Sequence, residues 1–396
     1  MSFLYNIFII VYKFGIGILS VFDEKTKQIV TAQKDLKIKI YNATKNHENI
    51  VWFHASSLGE FEQAKSVIKL YRNEKPTHKI LLTFYSPSGY NIVKNNEIAD
   101  WVFYLPHDTK RNAVFMSEDV KPIKVIFIKY EFWFNYIQTL YKQKIPIYFI
   151  SVILRKEQYF FKIYGRWFAK QLQKVDHFFV QDTNTSDLLK SININDVTVC
   201  GDSRFDTVIS NSEETFESKI IEKFCNKQQV LIAGSAWGKD IDLLKDIPKE
   251  INYKIIIAPH ELNQIEKLKK LKNSILLSEI NDVNVTDEKI LIIDKIGVLS
   301  KIYRFADIAY IGGGFGKGIH NCLEAAVYNI PILFGPNHHN FIEATDLISI
   351  GIAKEVNSSE SLIKEIKYFR EINVKPLTEK YFKEKSGSSK YIVKHI

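Results

Sequence analysis

Short apolar runs punctuate the chain, and segments of helical period rich in charge lie between them. In the first half the runs fall at residues 50–53, 79–83, 125–128, 145–150, 177–180 and 197–199. After residue 228 the series starts again, at 229–233, 253–258, 289–293, 308–312 and 331–334. Each run has the length of a strand, and strands alternating with helices predict parallel sheets. Nearly continuous apolar strands predict sheets covered by helices on both faces. The polar stretch SNSEETFESK, residues 210–219, separates the two series and reads as a linker. The expected fold class is α/β, with two doubly wound Rossmann-like domains facing a cleft. The expected boundaries are 1–22 for a hydrophobic helix, 23–209 for an N-terminal domain and 210–375 for a C-terminal domain. Residues 376–396 are expected to form a C-terminal helix packing back on the N-terminal domain.

Residues 3–22, FLYNIFIIVYKFGIGILSVF, are almost wholly apolar, with Asn6, Lys13 and Ser20 the exceptions. Met1 and Ser2 offer no positive n-region and no small-residue cleavage site is clear, which disfavours a signal peptide. The run is just long enough to span a bilayer. Lys13 in its middle favours a tilted or interfacial anchor over a deep span. The competing reading is a first helix packed on its own domain. Residues 155–174, RKEQYFFKIYGRWFAKQLQK, interleave basic and aromatic side chains. They read as an amphipathic helix, suited to anionic headgroups or to core packing.

The 396 residues allow two domains of ordinary size. A formal net charge of +9 suits an anionic partner: nucleic acid, membrane or acidic substrate. No zinc finger, RNP pattern or concentrated basic arm is present, so nucleic acid is not expected. Cys200, Cys225 and Cys322 have neither metal-ligand spacing nor an obvious disulfide framework, as in a reducing compartment. His338 and His339 are adjacent, but no H-E-x-x-H occurs, and no metal or other cofactor is expected.

The chemistry concentrates at predicted strand ends. In ADIAYIGGGFGKGIHNCLEAAVYNIPILFGP, residues 306–336, an apolar run enters a glycine-rich turn. A helix over 322–328 and a second strand follow, which makes a βαβ unit. Ligands of such sheets sit beyond the carboxyl ends of the strands, where a glycine turn leaves helix-start N–H groups for an anion. The turn therefore reads as a phosphate cradle, with Glu324 placed to reach a ribose hydroxyl. Its spacing is neither G-x-G-x-x-G nor a Walker A loop, so a plain tight turn with a solvated Glu324 is the alternative. Gly234-Ser235 forms a second glycine turn at a strand end, and Pro259-His260 ends another strand. His260 there is either a ligand contact or structural.

In the first half, VWFHASSLGEFEQAKSVIKLY carries a strand ending at His54 and a helix opening near Glu60. Ser57 and Glu60 have the spacing of a capping box, which explains the glutamate with no chemistry. The functional alternative makes Glu60 a general base. Spacing alone favours the cap. Glu131 ends a strand in VIFIKYEFWFNYI, and Arg204 in VTVCGDSRFD stands where it can hold a phosphate or carboxylate. The alternatives are a capping or ion-paired Glu131 and an Arg204 that braces the linker.

The segments FHASSLGEFEQA, LLTFYSPSGY, YEFWFNYI, CGDSRFD, AGSAW, IAPHE and GGGFGKGIHNCLEAAVYNIPILFGPNHHNF occur in the order found in the Kdo transferases, which the chain resembles. These are two-domain glycosyltransferases of the GT-B type. The resemblance implies transfer of Kdo, an eight-carbon acidic sugar, from CMP-Kdo to a lipid A precursor in lipopolysaccharide biosynthesis. It implies inversion at the anomeric centre without a catalytic metal, on the cytoplasmic face of the inner membrane of a Gram-negative bacterium. Under it residues 23–209 bind the acceptor and residues 210–375 the donor. Glu60 becomes the base, with Glu131 a second catalytic carboxylate. CMP is placed against Gly234, Ser235, Pro259, His260, Gly313, Gly314, His320, Asn321 and Glu324, with Arg204 assisting. Ser57 and Gly59 fall to the acceptor. The chain departs from the family at Pro259-His260-Glu261, where P-R-H is common, and at Ala236, where threonine is usual. It also has Gly318-Ile319-His320-Asn321 for G-G-H-N, and SVILR for N-A-R-x-S. A sugar-nucleotide epimerase or hydrolase of the same fold, or a non-catalytic membrane-associated nucleotide-sugar binder, is the rival reading.

Overall fold

A computed structural model describes residues 2–245, 247–280 and 288–396. The chain forms two compact units, Met1–Thr207 together with Lys385–Ile396, and Val208–Glu384.

The first unit holds seven strands: β1 (Ile50–Ala55), β2 (Lys79–Phe84), β3 (Trp101–Tyr104), β4 (Lys124–Ile128), β5 (Ile147–Val152), β6 (His177–Val180) and β7 (Val197–Val199). They lie in the order β3-β2-β1-β4-β5-β6-β7, all parallel. The winding reverses between β1 and β4. Every residue of β1 is buried. Its Trp52 joins the core on one face of the sheet, and Val51, Phe53 and Ala55 join the core on the other. Covering both faces is what the unbroken apolar runs require.

The second unit repeats the plan with β8 (Val230–Ala236), β9 (Lys254–Pro259), β10 (Ser274–Leu276), β11 (Ile290–Ile292), β12 (Ile308–Ile311), β13 (Ile332–Phe334) and β14 (Ala353–Glu355). The order is β10-β11-β9-β8-β12-β13-β14, again all parallel. Here the reversal falls between β8 and β12. Two doubly wound sheets in one chain are the GT-B type of architecture. Three strands escape the apolar-run reading: β3, β10 and β14. Each is a sheet edge, short and only partly covered.

Helix α1 (Ser2–Leu19) docks on the first unit through one stripe. Ile9 and Ile16 are buried, and Tyr5 and Tyr12 lie on the same side one turn away from each. The Tyr5 hydroxyl donates to Asp108 (2.5 Å), and Asn6 accepts from Asn135 (3.2 Å). The other faces carry exposed Phe3, Leu4, Phe8, Ile10, Val11, Phe14, Ile18 and Leu19.

The 155–174 segment is not one amphipathic helix. It breaks into two 3₁₀ turns, Tyr159–Phe161 and Ile163–Gly165, before the helix Arg166–Leu172. The fold back is tight at Gly165, where an added Cβ would meet the Tyr159 carbonyl oxygen at 1.8 Å. Residues 210–213 of the linker are helical, as the end of Arg204–Glu213. The last helices are Lys375–Lys385 and Ser388–His395. The latter returns to the first unit, where Ser389 meets Ser66 of the helix Leu58–Glu74 (2.7 Å) and Gly387 and Ser389 donate to Asp206.

Candidate functional site

In each unit, the residues singled out from sequence, apart from Arg204 after the edge strand β7, lie on turns at or beside the reversal of the sheet. This is the crevice in which doubly wound sheets hold ligands. In the first unit, β1 and β4 flank the reversal. The chain leaving β1 turns through Ser56 into the helix Leu58–Glu74. The chain leaving β4 turns sharply at Lys129, whose backbone is left-handed (φ 63°), and reaches the helix Phe134–Lys142. These two turns bring Glu60 and Glu131 into hydrogen-bond contact, carboxyl to carboxyl.

The environments of the two glutamates differ. Glu60 accepts from the backbone N–H groups of Ser56 (2.5 Å) and Ser57 (3.2 Å), and the Lys129 ammonium is close. It therefore makes the backbone contact of a capping residue as well as facing Glu131. Burial pushes both carboxyls above the ordinary glutamate range, and the charge of Glu60 raises Glu131 further. Two buried carboxyls in contact cannot both ionise cheaply. The donors around Glu60 make it the carboxylate and leave Glu131 to carry the shared proton.

His54, the penultimate residue of β1, sits beneath this pair and is fully buried. Its Nε2 faces the Trp133 indole N–H at 3.1 Å, and its Nδ1 faces the Thr83 carbonyl (3.1 Å) and hydroxyl (2.9 Å). An indole nitrogen only donates, so Nε2 is the acceptor and the proton is on Nδ1. Burial pushes the imidazole down to about 3, which keeps it neutral. His54 thereby holds Trp133, two residues from Glu131. The other face of this loop meets Tyr85, whose ring is 5.1 Å from Trp133 and whose hydroxyl donates to Tyr12 of α1 (2.8 Å). Ser57 is the N-cap residue of the helix bearing Glu60. Gly59 has no neighbour within 4 Å of an added Cβ and so leaves open space beside the pair. Arg204 lies at the start of the helix Arg204–Glu213, where its Nε (2.8 Å) and a terminal nitrogen (2.6 Å) engage Asp202.

In the second unit β8 ends in Gly234-Ser235 and β12 in the glycine turn. Ser235 occupies a left-handed backbone position (φ 54°) at an irregularity in the β8–β9 register. Ser151 does the same in the first unit, at φ 55° in the β5–β6 pairing. A left-handed serine is uncommon and such strain tends to cluster at functional sites. A Cβ at Gly234 would meet the Tyr303 hydroxyl at 1.8 Å, and one at Gly314 the Gly335 nitrogen at 2.6 Å. Both glycines therefore have a packing reason.

Part of the glycine turn is engaged by the protein itself. The Gly313 N–H donates to Asp240 (2.9 Å), while the N–H groups of Gly316 and Gly318 turn to the Gly313 carbonyl and that of His320 to Gly312. The helix that follows is four residues, Leu323–Ala326, rather than 322–328, and the Asn321 side chain caps Leu323 N–H (3.1 Å). Asn321 also donates to Glu324 (3.0 Å). Asp240 is almost fully buried and accepts further from Trp237 N–H (2.8 Å) and the Tyr310 hydroxyl (2.6 Å). Sequence reading passed over it because one acidic residue after G-S-A-W-G-K has no motif.

Beside the turn, Trp237, His260 and His320 form a ring stack with successive centroids 4.4 Å apart. The Trp237 indole donates to His320 Nε2 (3.1 Å), and burial pushes His320 down to about 4. Pro259 closes β9 immediately before His260. Trp237 is partly exposed and offers an aromatic surface that sequence reading did not single out. One ligand atom from each of His338, His339 and Glu355 also lies within 4.8 Å of the others, at the carboxyl ends of β13 and β14, as a divalent cation would require.

Residues 32–207, which contain the carboxylate pair, match the family described as 3-deoxy-D-manno-octulosonic-acid transferase, or Kdo transferase. Similarity to curated Kdo transferases extends over most of the chain: 24% identity to that of Aquifex aeolicus, covering 81% of this chain and 86% of the relative. To that of Rickettsia bellii it is 25%, covering 82% and 80%. Over most of its length the chain is similar to the Kdo transferases. A bifunctional glycosyltransferase/methyltransferase of Fusobacterium nucleatum is 26% identical over 81% of this chain, which spans about half, 52%, of that relative's length. Among solved structures, a UDP-N-acetylglucosamine 2-epimerase of Listeria monocytogenes, described as putative, superposes with a TM-score of 0.60 at 12% identity, covering 87% of this chain and 95% of that one. The corresponding Neisseria meningitidis enzyme, bound to UDP-GlcNAc, gives 0.58 at 17%, covering 87% and 98%. At such identities the likeness concerns the fold.

Proposed function

We propose that this chain is a Kdo transferase, which transfers Kdo from CMP-Kdo to a lipid A precursor, a tetra-acylated disaccharide bisphosphate, with inversion at the sugar. The observation that carries the reading is the pairing of Glu60 with Glu131 at the reversal of the first sheet. Glu60 takes the proton of the acceptor hydroxyl as that oxygen attacks the anomeric carbon and the bond to the CMP phosphate oxygen breaks. Glu131 holds the shared proton and keeps Glu60 the base. Ser57 and Gly59 border the place of the incoming hydroxyl.

The donor is assigned to the second unit. Gly234, Ser235, Gly313, Gly314, Pro259, His260, His320, Asn321 and Glu324 lie on turns at or beside the second reversal, and Trp237 joins them as a stacking surface for the nucleotide. The glycine-turn amides named above are engaged by protein groups. Side chains such as those of His260, His320 and Ser235 are assigned to the CMP phosphate beside the remaining amides of the turn, with Arg204 assisting.

The acceptor is a lipid, and α1 suits it. A helix fixed to the first unit by Tyr5, Asn6 and Tyr12, with its remaining faces apolar and exposed, lies along a membrane surface more readily than across it. The assigned location is the cytoplasmic face of the inner membrane of a Gram-negative bacterium.

The test is incubation of purified protein with CMP-Kdo and the tetra-acylated precursor, followed by mass spectrometry. A mass gain of one or more Kdo residues is expected, together with the count. Glu60→Gln is expected to lose transfer by about 10²- to 10⁴-fold while still binding CMP-Kdo. Hydrolysis or epimerisation of a nucleotide sugar without an acceptor product would replace the reading with the epimerase-type alternative.

A further inference from the structure

A recess of about 310 Å³ opens beneath α1, walled by Lys13 on that helix and by Lys37, with Gln33, His107 and Asn112 around it. No carboxylate lines it. Gln33 spends its amide on the Leu105 carbonyl (3.0 Å) and the His107 N–H (3.2 Å), and Asn112 donates to the His107 carbonyl (2.9 Å). These amides fix the floor, and the cations on the wall are Lys13 and Lys37, the latter with its ammonium 4.7 Å from the centre of the Phe115 ring. His107 is kept neutral, pushed down to about 4 by burial first and by the nearby Lys13 charge second. Lys13 is the one cation in an otherwise apolar helix, and it turns toward this recess.

The surroundings narrow the ligand. The exposed apolar faces of α1, with Phe14 and Ile18, adjoin the recess. On the inner side, Tyr85 links it to the carboxylate pair: its ring lies 6.3 Å from His107 and 5.1 Å from Trp133, and Glu131 acts on its hydroxyl. A group held between the two lysines would have hydrocarbon on one side and the reacting carboxylates on the other.

We infer that the recess is a phosphomonoester subsite, with Lys13 and Lys37 as its cationic ligands, and that it seats a phosphate of the acceptor headgroup. The assignment rests on the lipid acceptor proposed above. Paired ammonium groups in a part-desolvated recess suit a dianionic phosphate better than a phosphodiester or a neutral sugar.

Two measurements on the full chain test it. Binding of dihexanoyl phosphatidic acid and of inorganic phosphate is followed by calorimetry for wild type, Lys13→Ala, Lys37→Ala and the double variant. Phosphatidic acid is expected to bind wild type and to weaken about tenfold or more in the double variant, with Lys13→Arg restoring it. Lysine-independent binding overturns the site. Equal, lysine-dependent affinity for inorganic phosphate overturns the headgroup assignment in favour of free phosphate. In the transfer assay, KM for the bisphosphorylated acceptor is expected to rise about tenfold in the double variant with kcat retained, and KM for a dephosphorylated acceptor to stay unchanged. Equal effects on both acceptors overturn it. If wild type transfers no Kdo at all, the proposed reaction falls, while the binding measurement still decides the subsite.

Discussion

The indole N–H of Trp133 donates to Nε2 of His54 at 3.1 Å, and this bond ties the loop after β4 to the end of β1. It joins the two strands that flank the reversal of the first sheet, and so it sets where Glu131 stands relative to Glu60.

Trp133→Phe keeps the ring packing and removes the donor, leaving a buried acceptor on His54. A loss of about 1–3 kcal/mol in unfolding free energy is expected, read by denaturant titration. The looser Glu131 is expected to lower kcat about tenfold, equivalent to about 1.4 kcal/mol at the transition state, with donor KM unchanged. An unchanged kcat would mean that the loop does not depend on this bond.

The carboxylate pair has a pH signature. The working base must be ionised, and burial raises Glu60 above an ordinary glutamate, while burial and then the Glu60 charge raise Glu131. The acid limb of transfer is therefore expected to fall at a higher pH than a lone glutamate would give. Glu131→Gln removes the shared proton that helps hold Glu60 ionised, and should move that limb to higher pH. A carboxyl with a raised folded-state pKa stabilises the fold below its unfolded value and loses that contribution as pH rises through the folded value. Glu131→Gln should thus gain stability over wild type on the alkaline side, seen as a higher melting temperature there.

Asp240 collects the amides of Gly313 and Trp237 and the hydroxyl of Tyr310 on one carboxylate. Asp240→Asn replaces one accepting oxygen by a donor that faces another donor. A destabilisation of about 1–3 kcal/mol is expected, with donor affinity reduced because the glycine turn and Trp237 lose their common anchor. Unfolding curves and CMP binding measure the two effects separately.

Trp237→Ala removes the outer ring of the stack with His260 and His320. If that ring carries the nucleobase, CMP-Kdo affinity should fall by about 1–3 kcal/mol, the range for a base stacked on an aromatic side chain. Trp237→Phe should recover most of it. Calorimetric titration with CMP decides.

Much of this arrangement could be read from residues alone, and the exceptions have physical causes. Central strands such as β1 and β8 are covered on both faces and announce themselves as apolar runs. β3, β10 and β14 are edges of three or four residues, too short to stand out as strand-length runs. Glu60 and Glu131 were both singled out, but their meeting depends on a left-handed Lys129, and a lysine carries no turn signal. At the glycine turn, spacing suggested an open cradle. The actual occupant of the Gly313 amide is Asp240, 73 positions away, a tertiary contact that no local pattern encodes.

The helix Ser388–His395 belongs to the first unit although the whole second unit precedes it in the chain. Its Ser389 touches Ser66, and Gly387 and Ser389 both bind Asp206. During synthesis the ribosome releases Asp206 nearly two hundred residues before its partners emerge. The surface of Leu58–Glu74 that they cover must wait, uncovered, while the whole second unit is translated. Completion of the first unit must therefore wait for the second, and a nascent chain arrested before residue 385 would hold the first unit unfinished.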